Sequence, residues 1–327
     1  MDFEKIRNLA NFLKKENNFL LLTHKNFDFD AISSLLSMSI ILDYLKKDYF
    51  LYMDEEIKNE FLSLPNINKI SSKIEKDFKN VIFLDCERKT LVSEEILKET
   101  EGKYSIFIDH HLSNTLSGDE NYVFPEALST TQILYYLKEE LKIKDKNLAE
   151  LILLGILGDT KFLTIEKDNL AYKEIFKIIL NLLEEGANYF SLIERFYFKD
   201  WENFKYNVSI LSKAEKLDDI CYLIIRKDEI KDNYYANFSN QLSEIKDIKI
   251  AFVLREFEEN KIKISLRSKG DIDVSYLAKK YFNGGGHKNA AGGMLEMDLE
   301  SALNFTLEKI KEYLGEEKYG NTRINRI

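Results

Sequence analysis

The spacing of apolar residues changes regularly along the first half of the chain. Helical spacing marks residues 3–16 and 31–46, and short apolar runs typical of buried strands mark 19–23, 48–53, 81–85 and 105–109. Alternating helices and strands predict a parallel sheet with helices on both faces. From Leu128 to Leu183 the spacing is helical, and an almost wholly apolar stretch ends at Gly158-Asp159-Thr160. We interpret that stretch as a core helix that carries a polar residue at its tip.

The second half of the chain predicts a smaller domain of mixed structure. Residues 189–216 favour one or two bridging helices, and later segments favour strands at 220–225, 248–256 and 261–267, helices at 273–282 and 299–314, and a glycine-rich loop between those helices. No periodicity follows Gly315, which predicts a frayed tail. We therefore predict an α/β protein with an N-terminal parallel-sheet domain at 1–186, a helical linker at 187–216, an α/β domain at 217–316 and a tail at 317–327.

Charge and cysteine usage narrow the class of protein. Charged residues make up 31% of the chain and the net charge is -9, which argues against gripping long nucleic acid through the overall field. A small anionic substrate fits if metal ions supply positive charge locally. Cys86 and Cys221 lie in apolar runs typical of reduced, buried thiols. Without a signal-peptide pattern or a bilayer-length apolar run, we expect a cytoplasmic protein that is not membrane-bound.

Ionisable side chains follow several of the predicted strands. His24 is followed by Asp28 and Asp30, Asp85 ends a run, Asp109-His110-His111 ends another, and Asp159 ends the apolar helix. Asp30 could instead cap a helix, and Asp85 could bind backbone amides. Because ligands of such sheets bind beyond the carboxyl ends of the strands, we expect these side chains to converge on one crevice.

The chemistry of these side chains predicts a divalent-metal site. Carboxylates with a minority of imidazoles favour Mn²⁺, Co²⁺ or Mg²⁺ over a thiolate-bound structural zinc, and the sequence has no CxxC pair. One ion needs fewer ligands than the set offers, so two ions fit better. Paired ions stabilise both the attacking and the leaving oxygen of a phosphoryl centre. Phosphoester hydrolysis is therefore the leading reaction class.

A glycine-rich segment at 283–293 is the second candidate site. Gly284, Gly285 and Gly286 could bring backbone amides close to an anion, with His287 and Lys288 following directly. A flexible hairpin is the alternative interpretation. Seven Lys or Arg residues and only two Asp lie between Lys261 and Lys288, which indicates a phosphate-attracting patch, although part of it could be a solvated strand face.

These motifs, in this order, resemble the DHH/DHHA1 phosphoesterase superfamily over nearly the whole chain. The N-terminal motifs are His24-x-x-x-Asp28-x-Asp30, Asp85, Asp109-His110-His111 and Gly158-Asp159-Thr160, and the C-terminal signature is the glycine segment with Arg267-Ser268-Lys269 upstream. The length most resembles the nano-RNase type, bifunctional oligoribonucleases that also dephosphorylate pAp (3′-phosphoadenosine 5′-phosphate). Two positions depart from the family pattern: Phe27 replaces a proline, and Lys161 replaces a glycine.

The resemblance implies a role for each site residue. His24 and Asp28 would bind a first metal, Asp30, His110 and Asp159 a second, and Asp85 would bridge both. His111 would contact the scissile phosphate or protonate the leaving oxygen, with Asp109 orienting it. The implied substrate-binding residues are Arg267, Ser268, Gly284, Gly285, Gly286, His287 and Lys288.

The resemblance also implies substrates and cofactors. We expect two divalent ions, Mn²⁺ first, with Mg²⁺ or Co²⁺ as alternatives. The expected substrates are oligonucleotides of two to five residues and pAp, with no long duplex and no membrane partner, and a homodimer is left open. The alternatives are a phosphodiesterase of linear or cyclic dinucleotides such as pApA or c-di-AMP, and a catalytically silent nucleotide-binding module.

Overall fold

The computed structural model describes residues 1–25, 27–74, 77–87, 92–112, 114–115, 117–164, 169–198, 200–231 and 237–324. The side chains of His287 and of residues 316–324 lie outside that description. The chain divides into two compact units, residues 1–198 and residues 199–327. Each unit contains its own six-stranded sheet.

The sheet of the first unit is parallel throughout, as the sequence predicts. Its strands are β1 (Phe19–Leu22), β2 (Tyr49–Tyr52), β3 (Ile70–Ser71), β4 (Asn80–Leu84), β5 (Tyr104–Asp109) and β6 (Glu120–Val123). Their order is β3-β2-β1-β4-β5-β6, so the direction of winding reverses between β1 and β4. The edge strands β3 and β6 were not predicted because they are short and partly polar.

Seven helices within the described ranges belong to this unit. They are α1 (Phe3–Lys15), α2 (Phe29–Tyr44), α3 (Glu94–Glu99), α4 (Thr130–Leu141), α5 (Lys146–Asp159), α6 (Asn169–Glu184) and α7 (Tyr189–Phe196). Leu21 and Ile82 of the central strands face the larger hydrophobic core, and Leu20 and Phe83 face a second core on the opposite side. Burial on both faces explains why these strands are continuous apolar runs.

Helices α2 and α5 approach each other closely at two glycines. A Cβ atom at Gly158 would lie 2.4 Å from the Cβ of Phe29, and one at Gly155 would lie 2.6 Å from Oδ1 of Asp30. Both distances are shorter than side chains tolerate, so only glycine fits. The close approach brings the beginning of α2 next to the end of α5, where Asp159 lies.

The second unit is an α/β domain with a mixed sheet. Its elements are α8 (Trp201–Leu211), β7 (Glu215–Leu217), β8 (Ile220–Ile225), α9 (Phe238–Ser243), β9 (Ile250–Glu258), β10 (Lys261–Ser268), α10 (Val274–Tyr281), β11 (Gly285–His287), β12 (Ala290–Leu295) and α11 (Leu299–Ile324). The strand order is β11-β12-β10-β9-β8-β7, in which β8 and β9 pair in parallel and the other pairs are antiparallel.

Two sequence predictions in this unit need correction. The glycine segment forms a β-hairpin, the alternative interpretation, rather than the predicted loop, because Gly285–His287 pairs with Ala290–Gly292. The last helix continues to Ile324, where the sequence pattern predicted a frayed tail from Gly315. The extension contains Gly315 and Gly320, each of which costs a helix about 1 kcal/mol, and the Glu and Lys residues between them favour helix.

Two further sequence expectations concern the cysteines and membrane contact. Cys86 and Cys221 are both buried thiols that take no part in a disulfide, as predicted. Among the helices of the described ranges, none combines the length and the apolar character needed to cross a bilayer.

Candidate metal centre

Three neighbouring strands of the first unit end at the candidate site. His24 follows β1, Asp85 follows β4, and Asp109 is the last residue of β5. Their carboxyl ends lie at the same edge because the strands are parallel and adjacent. The site is at the point where the strand order reverses, which is the usual ligand position in such sheets.

The Asp85 carboxylate lies at the centre of the site. It is buried, and its backbone is left-handed, with φ 52°. Its Oδ2 is 3.7 Å from Nε2 of His24, and its Oδ1 is 3.5 Å from Nε2 of His110 and 3.7 Å from Nδ1 of His111. Burial alone would raise the pKa of Asp85, but the nearby imidazole of His24 and the charges of His110 and His111 outweigh it and lower that pKa.

His24, Asp28 and Asp85 form one group of metal-ligand type, in which the ligand atoms lie within 4.8 Å of one another. Asp28 also caps α2, since its Oδ1 accepts the N–H groups of Asp30 and Ala31, both at 3.0 Å. The capping alternative weighed for Asp30 is therefore wrong. The helix begins two residues earlier than predicted, so Asp28 occupies the cap and Asp30 lies in the first turn.

Asp30, His110 and Asp159 form a second such group within the same distance. Nε2 of His110 lies 3.0 Å from Oδ2 of Asp159, yet it is buried and makes no hydrogen bond of acceptable geometry among the described residues. A buried ring nitrogen directed at a carboxylate without a hydrogen bond is the arrangement a metal ligand needs. The donor set of both groups therefore fits divalent ions.

The electrostatics of the cluster favour a cation. Burial alone would lower the pKa of His24, but Asp85 outweighs it and raises that pKa to about 9. Asp159 and Asp85 similarly outweigh burial at His110 and raise its pKa to about 10. Burial, with the charges of neighbouring carboxylates, raises the pKa of Asp28 to about 6 and that of Asp30 well above its usual value. The carboxylates thus repel one another, and divalent ions would relieve that repulsion in place of protons.

Asp109 forms a third group of metal-ligand type with Asp85, His110 and His111, and it also orients the His111 ring. Its Oδ1 lies 2.7 Å from Nδ1 of His111 and accepts the backbone N–H of His110 at 2.8 Å, while Asn114 donates to its Oδ2 at 2.7 Å. The side chain of Asp109 is fully buried. Although burial lowers the pKa of His111, the bond to Asp109 and the charge of Asp85 raise it on balance. The sequence prediction did not include Asn114, which lies five residues after Asp109.

Two threonines at the start of α4 also contact the cluster and were not predicted. The Oγ1 of Thr130 donates to Oδ1 of Asp85 at 3.0 Å, and Thr131 donates to Oδ1 of Asp30 through its N–H at 3.0 Å and its Oγ1 at 2.7 Å. The only local signal is the sequence Ser129-Thr130-Thr131 before an apolar helix, which indicates a cap.

Two family models match the chain. The DHH family, N-terminal domain, matches residues 18–156, and the DHHA1 domain matches residues 218–316. The chain therefore contains a DHH N-terminal domain followed by a DHHA1 domain. The predicted resemblance is confirmed, and we call residues 1–198 the DHH unit and residues 199–327 the DHHA1 unit.

Known proteins share this organisation. The chain is 27% identical over 316 residues to the "Membrane protein-large ribosomal subunit bL9 fusion protein" of Onion yellows phytoplasma, aligning 89% of this chain. It spans only 36% of that relative's length. It is 28% identical over 324 residues to the "Bifunctional oligoribonuclease and PAP phosphatase NrnA" of Thermus thermophilus, covering 97% of each protein. The crystal structure of an exopolyphosphatase-related protein from Bacteroides fragilis shares the fold, with a TM-score of 0.86, 24% identity and coverage of 95% of this chain and 96% of that one.

The predicted substrate residues of the DHHA1 unit are engaged in different ways. Arg267 is half-buried on β10, where its Nε donates to Oδ1 of Asn240. Ser268 is buried; its hydroxyl donates to the Ile272 carbonyl at 2.7 Å and accepts from Asn289 at 3.0 Å. Ser268 therefore fixes a turn. Lys288 is exposed and pairs with Asp271 at 2.8 Å, and the side chain of His287 is outside the described part of the chain.

The three glycines of the DHHA1 hairpin differ in what their surroundings allow. A Cβ atom at Gly284 would lie 1.9 Å from the Gly292 carbonyl oxygen, and one at Gly286, whose φ is 140°, would lie 2.5 Å from that of Ala290. At Gly285 the nearest atom is Cε of Lys279, at 3.9 Å. The hairpin thus requires glycine at 284 and 286 but not at 285.

The two departures from the DHH pattern lie next to one set of aromatic rings. Phe27 contacts Phe61 with ring centroids 5.7 Å apart, Phe61 contacts Phe29 at 5.6 Å, and Phe162 contacts Phe29 at 6.5 Å. The turn that begins at Lys161 is left-handed, with φ between 48° and 66° over 161–163. Residues other than glycine rarely adopt that backbone conformation, so the turn at 161–163, which follows Asp159 and Thr160, is strained.

Proposed function

We propose that this chain is a metal-dependent phosphohydrolase that cleaves oligonucleotides of two to five residues to mononucleotides and removes a phosphate from pAp. The observation that carries the proposal is the position of Asp85. Its carboxylate belongs to one group with His24 and Asp28, and it lies 3.5 Å from His110, a member of the other group. A carboxylate shared by two ligand groups is suited to bridging two ions.

The ligand sets follow from these groups. His24, Asp28 and Asp85 would hold one ion, and Asp30, His110 and Asp159, with Asp85, would hold the other. We propose Mn²⁺ for both, with Mg²⁺ and Co²⁺ as alternatives, because oxygen ligands predominate and no thiolate takes part. Two ions at these ligands would polarise the phosphoryl group and lower the pKa of the attacking water.

His111 would protonate the leaving oxygen, and Asp109 would orient His111. Nδ1 of His111 faces Asp109 at 2.7 Å, so Nε2 points to the other side of the ring. When hydrolysis breaks the bond between phosphorus and the leaving oxygen, a proton from Nε2 of His111 would neutralise that oxygen. Asp109 keeps the ring in one orientation and stabilises its charged form. The raised pKa of His111 is consistent with a general acid.

Charge supports a short substrate. A net charge of -9 opposes binding along an extended polynucleotide, whereas a few positive side chains suffice for a terminal phosphate. We propose that Arg267, Lys288 and the hairpin at 284–287 contact that phosphate or the nucleotide. The Thermus relative, whose name combines oligoribonuclease and PAP phosphatase, supports the same substrate class.

The test uses purified protein stripped of metal and then supplied with Mn²⁺, Mg²⁺ or Co²⁺. We expect mononucleotides from di- to pentanucleotides and phosphate from pAp, with less release from a long single strand. Linear pApA and c-di-AMP are assayed in parallel. Turnover of c-di-AMP alone would replace the proposal by a cyclic-dinucleotide phosphodiesterase, and cleavage of pyrophosphate alone would remove nucleotides from the substrate class. If the chain binds these ligands without turning any over, it is a silent binding module.

A further inference from the structure

We propose that Thr130 and Thr131, which we call the threonine pair, are positioning residues that set the spacing between the two metal-ligand groups. The inference rests on the two-metal centre of the proposed function. The threonine pair opens α4, and both side chains are fully buried. It contacts one carboxylate of each group, and neither threonine is itself among the proposed ligands.

Thr130 connects the two groups directly. Its hydroxyl donates to Oδ1 of Asp85 at 3.0 Å, and its backbone N–H donates to Oδ2 of Asp30 at 2.6 Å. One residue thus fixes a ligand from each group. A shift of Thr130 would change the distance between Asp85 and Asp30, and with it the distance between two bound ions.

Thr131 restricts how Asp30 can bind an ion. Its N–H and its hydroxyl both donate to Oδ1 of Asp30, at 3.0 and 2.7 Å. A carboxylate offers about four lone-pair positions, and these bonds with that from Thr130 use three of them. The remaining position is on Oδ2, so Asp30 would bind its ion through that one oxygen.

The hydrogen bonds behind Thr131 run in one direction. With a cation bound, Asp30 is ionised and can only accept, so the Thr131 proton would point towards it and Ser129 would donate to Thr131, at 2.9 Å. Ser129 in turn accepts the N–H of Gln132 at 3.0 Å. Such a chain keeps the Thr131 hydroxyl from rotating away, as outer partners of metal ligands do.

Gly155 of α5 provides the space for this arrangement. A Cβ atom there would lie 2.4 Å from both Cγ2 and Oγ1 of Thr131, and 2.6 Å from Oδ1 of Asp30. Gly155 therefore allows Thr131 and Asp30 to meet beneath the metal site. Gly155→Ala should push the two apart without removing a polar group.

The experiment measures Mn²⁺ binding by electron paramagnetic resonance, including the spin-coupled signal of paired ions, beside kcat and KM. We expect Thr131→Val to lower the affinity for one of two Mn²⁺ ions by about 10- to 100-fold. The affinity for the other ion should not change, because Asp30 is the only proposed ligand that Thr131 contacts. Thr130→Val should lower the affinity for both ions, since Asp85 is the proposed ligand that they share. Thr130→Ser and Thr131→Ser keep the hydroxyl and should restore binding.

Thr306→Val is the matched control. Thr306 is buried in α11, and its hydroxyl has no hydrogen-bond partner among the described residues, so its loss should not alter Mn²⁺ binding. Gly155→Ala tests the same positioning from the α5 side and should abolish the spin-coupled signal, even if a valine variant does not fold.

Binding and turnover separate the two proposals. A wild-type protein that holds two coupled Mn²⁺ ions but turns over none of the substrates would contradict the proposed function and leave the positioning role intact. Fewer than two bound ions in the wild type would overturn the positioning role. So would folded Thr130→Val and Thr131→Val variants that bind both ions as the wild type does, or equal weakening of both ions by every variant.

Discussion

The two units use their motif residues differently. In the DHH unit, His24, Asp85 and His110 follow buried strands and face one another across a few ångströms. In the DHHA1 unit, Gly284 and Gly286 pack against their own hairpin. The comparison teaches that a sequence motif indicates a functional site most specifically when a purely structural role for its residues would be energetically costly. Crowded buried carboxylates and imidazoles favour a cation, whereas glycines serve backbone packing as readily as ligand binding.

The largest expected effect tests the DHH side of the comparison. Asp85→Asn should keep the fold but lower kcat/KM by more than about 100-fold. Loss of a residue that only supports a metal ligand costs up to about 100-fold, and Asp85 is proposed as a ligand itself. The reason is that an amide cannot bridge two cations as a carboxylate does. Turnover of pAp and Mn²⁺ stoichiometry are measured together. The bridging assignment fails if the variant binds two ions and retains more than a tenth of the activity.

Asp77→Asn is the matched control for that change. Asp77 is exposed and pairs with Lys103 at 2.7 Å on the same unit. A surface ion pair contributes only about 0–1 kcal/mol, so this variant should bind Mn²⁺ and turn over substrate as the wild type does.

The next effect tests the DHHA1 side. Gly284→Ala should destabilise the protein by about 1–3 kcal/mol, because its Cβ would overlap the backbone of the opposite strand. Gly285→Ala has space for its methyl group and should leave thermal stability close to wild type. If the hairpin contacts substrate, Gly285→Ala should raise KM with little change in kcat. Equal loss of stability in both variants would contradict the packing argument.

The difference between the units also explains what the sequence could predict. The parallel sheet follows from apolar runs that are buried on both faces, and its topology alone brings Asp85 and Asp109 to one edge. Thr130 and Thr131 were missed because their contacts join elements distant in sequence. Asn114 lies only five residues after Asp109, but an asparagine in a loop does not indicate which group it binds. The hairpin at 285–295 was only the alternative interpretation of the glycine segment, because Gly and Ala lack the β-branched side chains that mark strands. Within the DHHA1 unit, the sequence could not show that the hairpin requires glycine at 284 and 286 but has space for a side chain at 285.

A third prediction concerns pH and metal removal. The folded-state pKa of His24 is about 9 and that of His110 about 10, both above the ordinary value of 6.5. Their contribution to stability is complete below about pH 6.5 and is lost as the pH rises through the folded-state values. The Tm of chelator-treated protein should therefore fall by a few degrees between about pH 6.5 and 9.

Added Mn²⁺ should reverse that trend. Metal binding competes with protons, so the increase in Tm caused by Mn²⁺ should grow with pH over the same range. Scanning calorimetry measures both slopes. The His24→Gln, His110→Gln double variant is the control and should lose most of the pH dependence. An unchanged slope in that variant would show that other groups carry it.

The smallest expected effect comes from placing a glycine at a position of the DHH unit where another residue has a positive φ. Gly286 of the DHHA1 unit has a positive φ, and so does Lys161 of the DHH unit, which lies two residues after the proposed ligand Asp159. Lys161→Gly should relieve a left-handed conformation and lose part of that gain to unfolded-state entropy, for a net stabilisation of up to about 1 kcal/mol. Lys142→Gly, at φ 56° at the end of α4, is the matched control. If only Lys161→Gly weakens Mn²⁺ binding while both raise Tm, the strained turn holds Asp159 in place; if neither changes binding, that strain has no part in the metal centre.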